Sequence, residues 1–261
     1  MRLLQNSLLS LCFTLAMPLA AAEGPWQGKR AAVALTYDDS LNVHLDTVIP
    51  ALNELELKGT FYLTIAADGF SQRMAEWRAA AADGHELGNH TLFHPCNGQG
   101  PGREWVAAER DLSTWTLGRI LGNIEVANTT LQALDGKTER TFAYPCGDTL
   151  AGGESYLEAI KPLFAGARGV APGFPSPDNA ERFNLAAHVI NGQSIEQLKA
   201  LVDNAIAQQG LLVFLFHGVG GEHPLNLEAD THAQLLDYLH AQQHQLWVAP
   251  MVDIASALAG E

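Results

Sequence analysis

Asp38-Asp39 stands directly after an apolar run, Ala31–Tyr37. Two adjacent carboxylates at a strand end repel each other, which raises at least one pKa unless a cation lies beside them. Taken alone, the pair is equally a turn or a helix cap, since Asp serves in both. His90 and His94 form H-x-x-x-H. Spacing of four places both imidazoles on one side of a helical turn, where one cation can take two nitrogens. Two surface histidines on a turn account for the same spacing, and no Glu follows the first His, so the pattern is not H-E-x-x-H. His217 closes the wholly apolar run Leu211–Phe216 and is followed by Gly218 and Gly220-Gly221. A histidine between a buried strand and a flexible loop is placed for proton transfer, and a structural histidine bonded to a loop carbonyl is the alternative. Tyr144-Pro145-Cys146-Gly147-Asp148 closes a further strand, where Pro and Gly can hold a backbone N–H inward.

These groups need elements that carry them to one place. Ala31–Tyr37, Thr60–Ile65, His85–Gly88, Arg140–Tyr144, Phe183–Ile190, Leu211–Phe216 and Leu246–Ala249 read as strands. Helical patterns fall at Thr47–Leu57, Met74–Ala82, Arg103–Leu134, Tyr156–Phe164, Ser194–Gln208, Thr231–Gln243 and Val252–Leu258. Gly118 and Gly122 are candidate breaks in the third of these, and Ser194 is the expected cap of the fifth. Strand–helix alternation of this length predicts a parallel α/β sheet or barrel in a single domain. Asn97–Gly102 and Ala171–Asp178 read as loops rather than linkers. In such a fold the C-terminal strand ends share one rim. Asp38, Asp39, His90, His94, Cys146 and His217 are therefore expected to converge.

Composition narrows the partners. The chain has 261 residues, 47% hydrophobic and 17% charged, with a formal charge of −14. Such a chain can bury a sizeable core and is not disordered. Its acidic surface disfavours nucleic acid. Met1-Arg2, the apolar stretch Leu8–Leu19 and Ala20-Ala21-Ala22 read as a secretory signal over residues 1–22, leaving a domain over 23–261. The stretch is too short for a membrane span, so export to the periplasm or medium is expected, with no stable membrane insertion. Removal would take Cys12 and Arg2, giving a charge of −15 and leaving Cys96 and Cys146. Two cysteines in an oxidising compartment are candidates for a disulfide, with two buried thiols as the alternative.

The motifs resemble those of the polysaccharide deacetylase family, the carbohydrate esterases of family 4 with a NodB-homology domain. T-[FY]-D-D appears as Thr36-Tyr37-Asp38-Asp39, H-[ST]-x-x-H as His90-Thr91-Leu92-Phe93-His94, and L-x-H as Leu215-Phe216-His217. R-x-P-x-G appears in part, as Ala143-Tyr144-Pro145-Cys146-Gly147. The resemblance runs over about residues 31–255. It implies a distorted (β/α) barrel and one divalent metal, Zn2+ or an ion such as Co2+, held by Asp39, His90 and His94. It further implies Asp38 as general base, His217 as general acid and the Cys146 N–H as an oxyanion donor. Thr91 would brace its loop. The third-motif arginine is replaced by Ala143, the fourth-motif acid is absent, and Arg168 is the candidate for the missing positive charge.

The expected activity is removal of acetyl groups from an N-acetylated polysaccharide or oligosaccharide by a monomer. The competing readings are an O-acetyl esterase on a plant polysaccharide such as xylan, a hydrolase of small amides, and a non-catalytic sugar-binding protein. Export argues against the small amides, and the intact Asp38, Asp39, His90, His94 and His217 set against the last. His44, His188, His232, His240 and His244 are expected to be surface or structural histidines; His223, on the glycine loop after His217, leans the same way, with a place in a subsite as its alternative. Most of Trp26, Trp77, Trp105, Trp115 and Trp247 are expected in the core.

Overall fold

The computed structural model describes residues 26–260. The expected signal over residues 1–22, with Cys12, lies outside the described residues. Among the described residues, no helix is long and apolar enough to cross a membrane.

Eight strands form one parallel sheet: β1 (Ala31–Asp38), β2 (Thr60–Leu63), β3 (Glu86–Asn89), β4 (Thr141–Ala143), β5 (Gly166–Arg168), β6 (His188–Val189), β7 (Leu211–Phe216) and β8 (Leu246–Val248). Their order is β5-β4-β3-β2-β1-β7-β6. One edge of β1 is shared, with Ala31–Val33 on β8 and Thr36–Asp38 on β2. The other edge takes β7 from Ala32 to Tyr37. β1 is thus the central strand, and all eight of its residues are buried.

The sheet curls into a distorted barrel, and the stretch 183–190 explains the distortion. A single strand is expected there, but only His188–Val189 is one. Leu185 instead bridges to Arg168 on β5, whereas His188 and Val189 pair with Phe214 and Leu215 on β7. One short segment serves both edges and must bend between them, which limits its regular pairing.

Alternation along the strands sorts inside from outside. Val33, Leu35 and Tyr37 of β1, with Leu212, Phe214 and Phe216 of β7, pack outward against the helices. Ala32 and Ala34, with Leu211, Val213 and Leu215, face the interior beside Tyr62, Ala143 and Leu185. Small residues on β1 make room there for the large Tyr62 ring. Gly88 is needed for the same reason, since a Cβ at that position would meet the Tyr62 ring at 2.5 Å.

The outer helices are α1 (Ile49–Glu54), α2 (Met74–Ala82), α3 (Leu117–Asp135), α4 (Ile195–Gln208), α5 (Ala229–Ala241) and α6 (Met251–Ala259). Ser194 caps α4 in a reciprocal capping box with Gln197. The helix expected over Arg103–Leu134 is shorter than its pattern. It begins at Leu117, where Thr116 accepts the Arg119 N–H, and Gly118 and Gly122 do not break it. Residues 103–116 form turns on the rim instead. Asp111 holds them by accepting from the Gly98 N–H at 2.8 Å, the Ser113 N–H at 3.0 Å and the Gln99 amide at 2.9 Å.

Besides the motif histidines, three buried histidines, His44, His85 and His232, shape the acid stability. Burial pushes their pKa values down to about 4, about 4 and about 3 respectively. In the unfolded chain each would titrate near ~6.5. Below that pH the unfolded state takes up protons that the native state refuses, so stability falls as pH falls. It is fully present above pH ~6.5 and is lost progressively down to the folded values, at ~4 kcal/mol per pH unit when all three contribute. Urea unfolding of the metal-free protein between pH 7 and 5 measures this, and a flat midpoint across that range would contradict it.

Candidate active site

The alternation that sorts the barrel also aims its functional groups. Asp38 follows Ala32, Ala34 and Thr36 on the inward face of β1. His90 lies one step beyond β3, in phase with Glu86 and Gly88, and His217 one step beyond β7, in phase with Leu211, Val213 and Leu215. Asp39 would point away from Asp38 if the strand continued. Its φ of +79° breaks the alternation, and both carboxylates line the same cavity. His90 and His94 do not sit on a helical turn, as their spacing predicts. Their loop is irregular, with Thr91 at φ +68° and His94 at φ +53°. The Thr91 hydroxyl accepts the His94 N–H at 2.9 Å and braces that loop.

All six residues expected to converge line one cavity of about 520 Å³, together with His223, Trp105 and Arg110. Asp39 Oδ1 lies 3.6 Å from His90 Nε2 and 3.4 Å from His94 Nε2. A tetrahedral ion with bonds of ~2.0–2.1 Å needs donors about 3.3–3.4 Å apart, so this triplet fits a small divalent cation. His90 Nδ1 sits 2.8 Å from the Ala143 carbonyl. The proton must lie on Nδ1 to make that bond, which leaves the Nε2 lone pair for an ion.

The charge balance points the same way. Burial lowers the His90 pKa to about 4, with Asp38 opposing, so the ring is neutral at pH 7. Burial works to raise both aspartates, but Arg168, His90 and His217 outweigh it at Asp38 and keep it below its ordinary value. His94, His90, His217 and His223 together hold Asp39 at about 2. Asp38 therefore has Arg168 as its bonded cation, whereas Asp39 has only histidines beside it, and a divalent ion would offset its charge.

Arg168 supplies what Ala143 lacks. Its Nη2 donates to both oxygens of Asp38, at 2.7 and 2.5 Å. It is fully buried, and its guanidinium lies 4.9 Å from the centre of the Tyr62 ring. Ala143 and Arg168 are register partners on adjacent strands, so the positive charge reaches Asp38 from the neighbouring strand. No comparable substitute serves His217. Its Nδ1 is buried with no hydrogen-bond partner among the described residues. Burial lowers its pKa, and Asp38 and Asp39 only partly oppose this.

Cys96 and Cys146 are bonded to each other, with Cα atoms 5.8 Å apart. The bridge ties the His94 loop to the turn Pro145–Gly147, where Cys146 takes φ +56°. Asp148 adds a polar tie by accepting from the Asn97 N–H and from Arg103, both at 2.8 Å. The bond closes a loop of 50 residues, which the chain-entropy account values at about 4 kcal/mol. Reduction is expected to lower the unfolding free energy by roughly 2–4 kcal/mol. Urea titrations with and without reductant test this, and superposable curves would count against it.

Other expectations resolve individually. His44 is buried, and its Nε2 donates to the His217 carbonyl at 2.8 Å. His232 is buried too, with Nε2 2.9 Å from the Tyr37 hydroxyl. Trp26, Trp77 and Trp115 are core residues, whereas Trp105 is 63% exposed on the cavity rim. Arg110 lines the cavity without any signal in its residue pattern, because the rim turns that place it carry a helical periodicity.

A family model described as "Polysaccharide deacetylase" matches residues 27–160, just over half of the chain. This chain belongs to the polysaccharide deacetylase family. The matched region carries Asp38, Asp39, His90, His94 and Cys146. A gellan lyase from Bacillus sp is 25% identical over 252 residues, covering 87% of this chain. The chain spans only 9% of that relative's length.

Solved structures agree on the deacetylase fold. A Mycobacterium smegmatis protein assigned as a polysaccharide deacetylase superposes with a TM-score of 0.61 at 15% identity, covering 95% of each chain. The catalytic domain of peptidoglycan N-acetylglucosamine deacetylase from Eubacterium rectale gives 0.53 at 15%, covering 90% of this chain and 94% of that one. A family 4 acetyl xylan esterase from Clostridium thermocellum, in complex with a cobalt ion, gives 0.51 at 19%, covering 85% and 89%. At such identities the likeness speaks for the curled (β/α) barrel alone.

Proposed function

We propose that this chain is an exported, metal-dependent hydrolase that removes acetyl groups from an N-acetylated polysaccharide or oligosaccharide. The observation that carries this reading is a three-donor cluster, Asp39, His90 and His94, beside a separate carboxylate held by Arg168. The signal-like residues 1–22 and the Cys96–Cys146 bond support an extracytoplasmic setting.

An ion such as Zn2+ or Co2+ on Asp39, His90 and His94 would supply Lewis-acid polarisation of the acetyl carbonyl and lower the pKa of the attacking water. Asp38 takes the proton of that water. Arg168 keeps Asp38 ionised and fixes the direction of its oxygens. The Cys146 N–H donates to the oxygen that becomes negative as the carbonyl is attacked. His217 Nε2 delivers a proton to the departing nitrogen. Its lowered pKa means that this proton-loaded form is populated on the acid side of neutrality. The exposed face of Trp105 offers a surface against which a pyranose ring can lie.

The test is acetate release from chitin oligomers, peptidoglycan, acetylated xylan and a small aryl acetate, before and after chelation. N-acetylated glycans are expected to be cleaved, with activity lost on chelation and restored by zinc or cobalt. Turnover of acetylated xylan alone would replace the amide reading with an ester one. Activity indifferent to chelation would contradict the metal, and silence on every substrate would favour a sugar-binding role.

A further inference from the structure

Among the described residues, every arginine but one donates a side-chain hydrogen bond to a protein oxygen. The exception is Arg110, whose guanidinium has neither a hydrogen bond nor an ion pair there. It is exposed, and it lines the active-site cavity. Among the described residues it is also the only permanent cation on the cavity wall, since Arg168 is fully buried and committed to Asp38.

The main chain holds Arg110 in this place. Its N–H donates to the Ala107 carbonyl at 2.8 Å, and its own carbonyl accepts the Cys96 N–H at 3.1 Å. Cys96 lies two residues beyond His94 and is bonded to Cys146, so Arg110 is tied to the loop of a proposed metal ligand. Asp111, the next residue, is buried and fixed by the three bonds described above. His94, Trp105 and Arg110 line both the main cavity and a smaller hollow of about 320 Å³, so they form the wall between the two. Glu109 lines that hollow but not the main cavity, and it makes no ion pair with Arg110.

We infer that Arg110 is a specificity-determining residue that selects an acidic glycan, by binding a carboxylate on the reacting sugar or on its neighbour in the chain. This rests on the proposed reading of the cavity as the glycan site. A guanidinium suits the task because it is planar, always charged and able to meet a carboxylate with two parallel N–H bonds. Trp105 beside it offers a ring face to a pyranose, so one wall can hold both a sugar and its acid. The reaction centre does not oppose an anion here. Arg168 offsets Asp38, and a divalent ion would more than offset Asp39. The acidic surface of the wider chain is screened beyond ~8 Å at physiological salt, so the groups in the cavity decide. A lactyl ether or a uronic acid would each supply the carboxylate.

The experiment compares two acidic ligands with their carboxyl-reduced counterparts, in which each acid is a primary alcohol. One ligand is a peptidoglycan glycan strand, which carries lactyl carboxylates. The other is an oligomer alternating an N-acetylated hexosamine with a uronic acid. Calorimetry on the chelated full-length protein reads binding without consuming the ligand, and acetate release with zinc restored reads kcat/KM. Wild type is expected to bind at least one acid form about tenfold more tightly than its reduced counterpart, and to prefer it similarly in kcat/KM. Arg110→Gln should bring that acid form down to the affinity of the reduced one. Arg110→Lys, which keeps the charge without the fork, should fall between them. A gap for the peptidoglycan strand alone assigns the carboxylate to a lactyl ether, and a gap for the other oligomer alone assigns it to a uronic acid. Equal binding of acid and reduced forms by wild type, or an undiminished gap in Arg110→Gln, would overturn the inference. Acetate release with no gap would leave the proposed function standing and remove this role of Arg110. A gap that Arg110→Gln abolishes, with no acetate released from any glycan, would do the reverse.

Discussion

Arg168→Met is expected to lower the unfolding free energy by about 3–5 kcal/mol, because it strands a buried carboxylate. Arg168 is fully buried and Asp38 nearly so, and among the described residues Arg168 is the only permanent cation bonded to Asp38. Turnover should fall as well, by roughly 10²-fold or more, since Asp38 would lose both its charge partner and its fixed direction. Arg168→Lys cannot restore it fully, because an ammonium does not reproduce a planar guanidinium that lies on Tyr62 and bonds the Gly169 carbonyl through Nη1 while Nη2 holds Asp38. A double variant, Ala143→Arg with Arg168→Ala, separates orientation from general damage. It returns the charge from the paired position on β4 and is expected to recover at least tenfold in kcat over the single Arg168→Ala change. Chemical denaturation and acetate release measure the two effects. Wild-type stability and turnover in Arg168→Met would refute the assignment.

Asp38→Asn is expected to retain metal yet lose about 10²–10⁴-fold in kcat, the range for removal of a general base. His94→Ala is expected to lose metal and turnover together. The contrast follows from position. Asp38 is committed to Arg168, with its nearest approach to His90 Nε2 at 3.7 Å, whereas Asp39 Oδ1 stands close to both His90 and His94. Metal content and single-turnover acetate release on the same preparations decide the matter. Loss of metal in Asp38→Asn with retention in an Asp39→Asn variant would exchange the roles of the two aspartates.

Much of this site is legible in the amino-acid sequence because strand alternation is a local rule. Once Ala31–Tyr37 and Leu211–Phe216 are read as buried strands, the residue after each lies on the rim, and its type carries its chemistry. The family membership follows from the same short motifs. The helix pattern at Arg103–Leu134 misleads over its first half for an equally physical reason. Asp111 there gives its carboxylate to backbone and side-chain donors of the Gly98–Ser113 turns, and periodicity does not register such bonds.

Residue types and their local patterns are enough to name the donors, their order along the chain and the strands that bring them to one end of a barrel. Which groups meet is settled only in the folded chain. The left-handed turn at Asp39 sets both carboxylates in one cavity, against the alternation of β1. Register between β4 and β5 lets Arg168 stand in for an arginine that Ala143 cannot be. Folding back of the glycine loop lays His223 on His217. Each of these contacts joins residues whose spacing has no fixed period, so their meeting depends on pairing, packing and loop closure across the whole barrel.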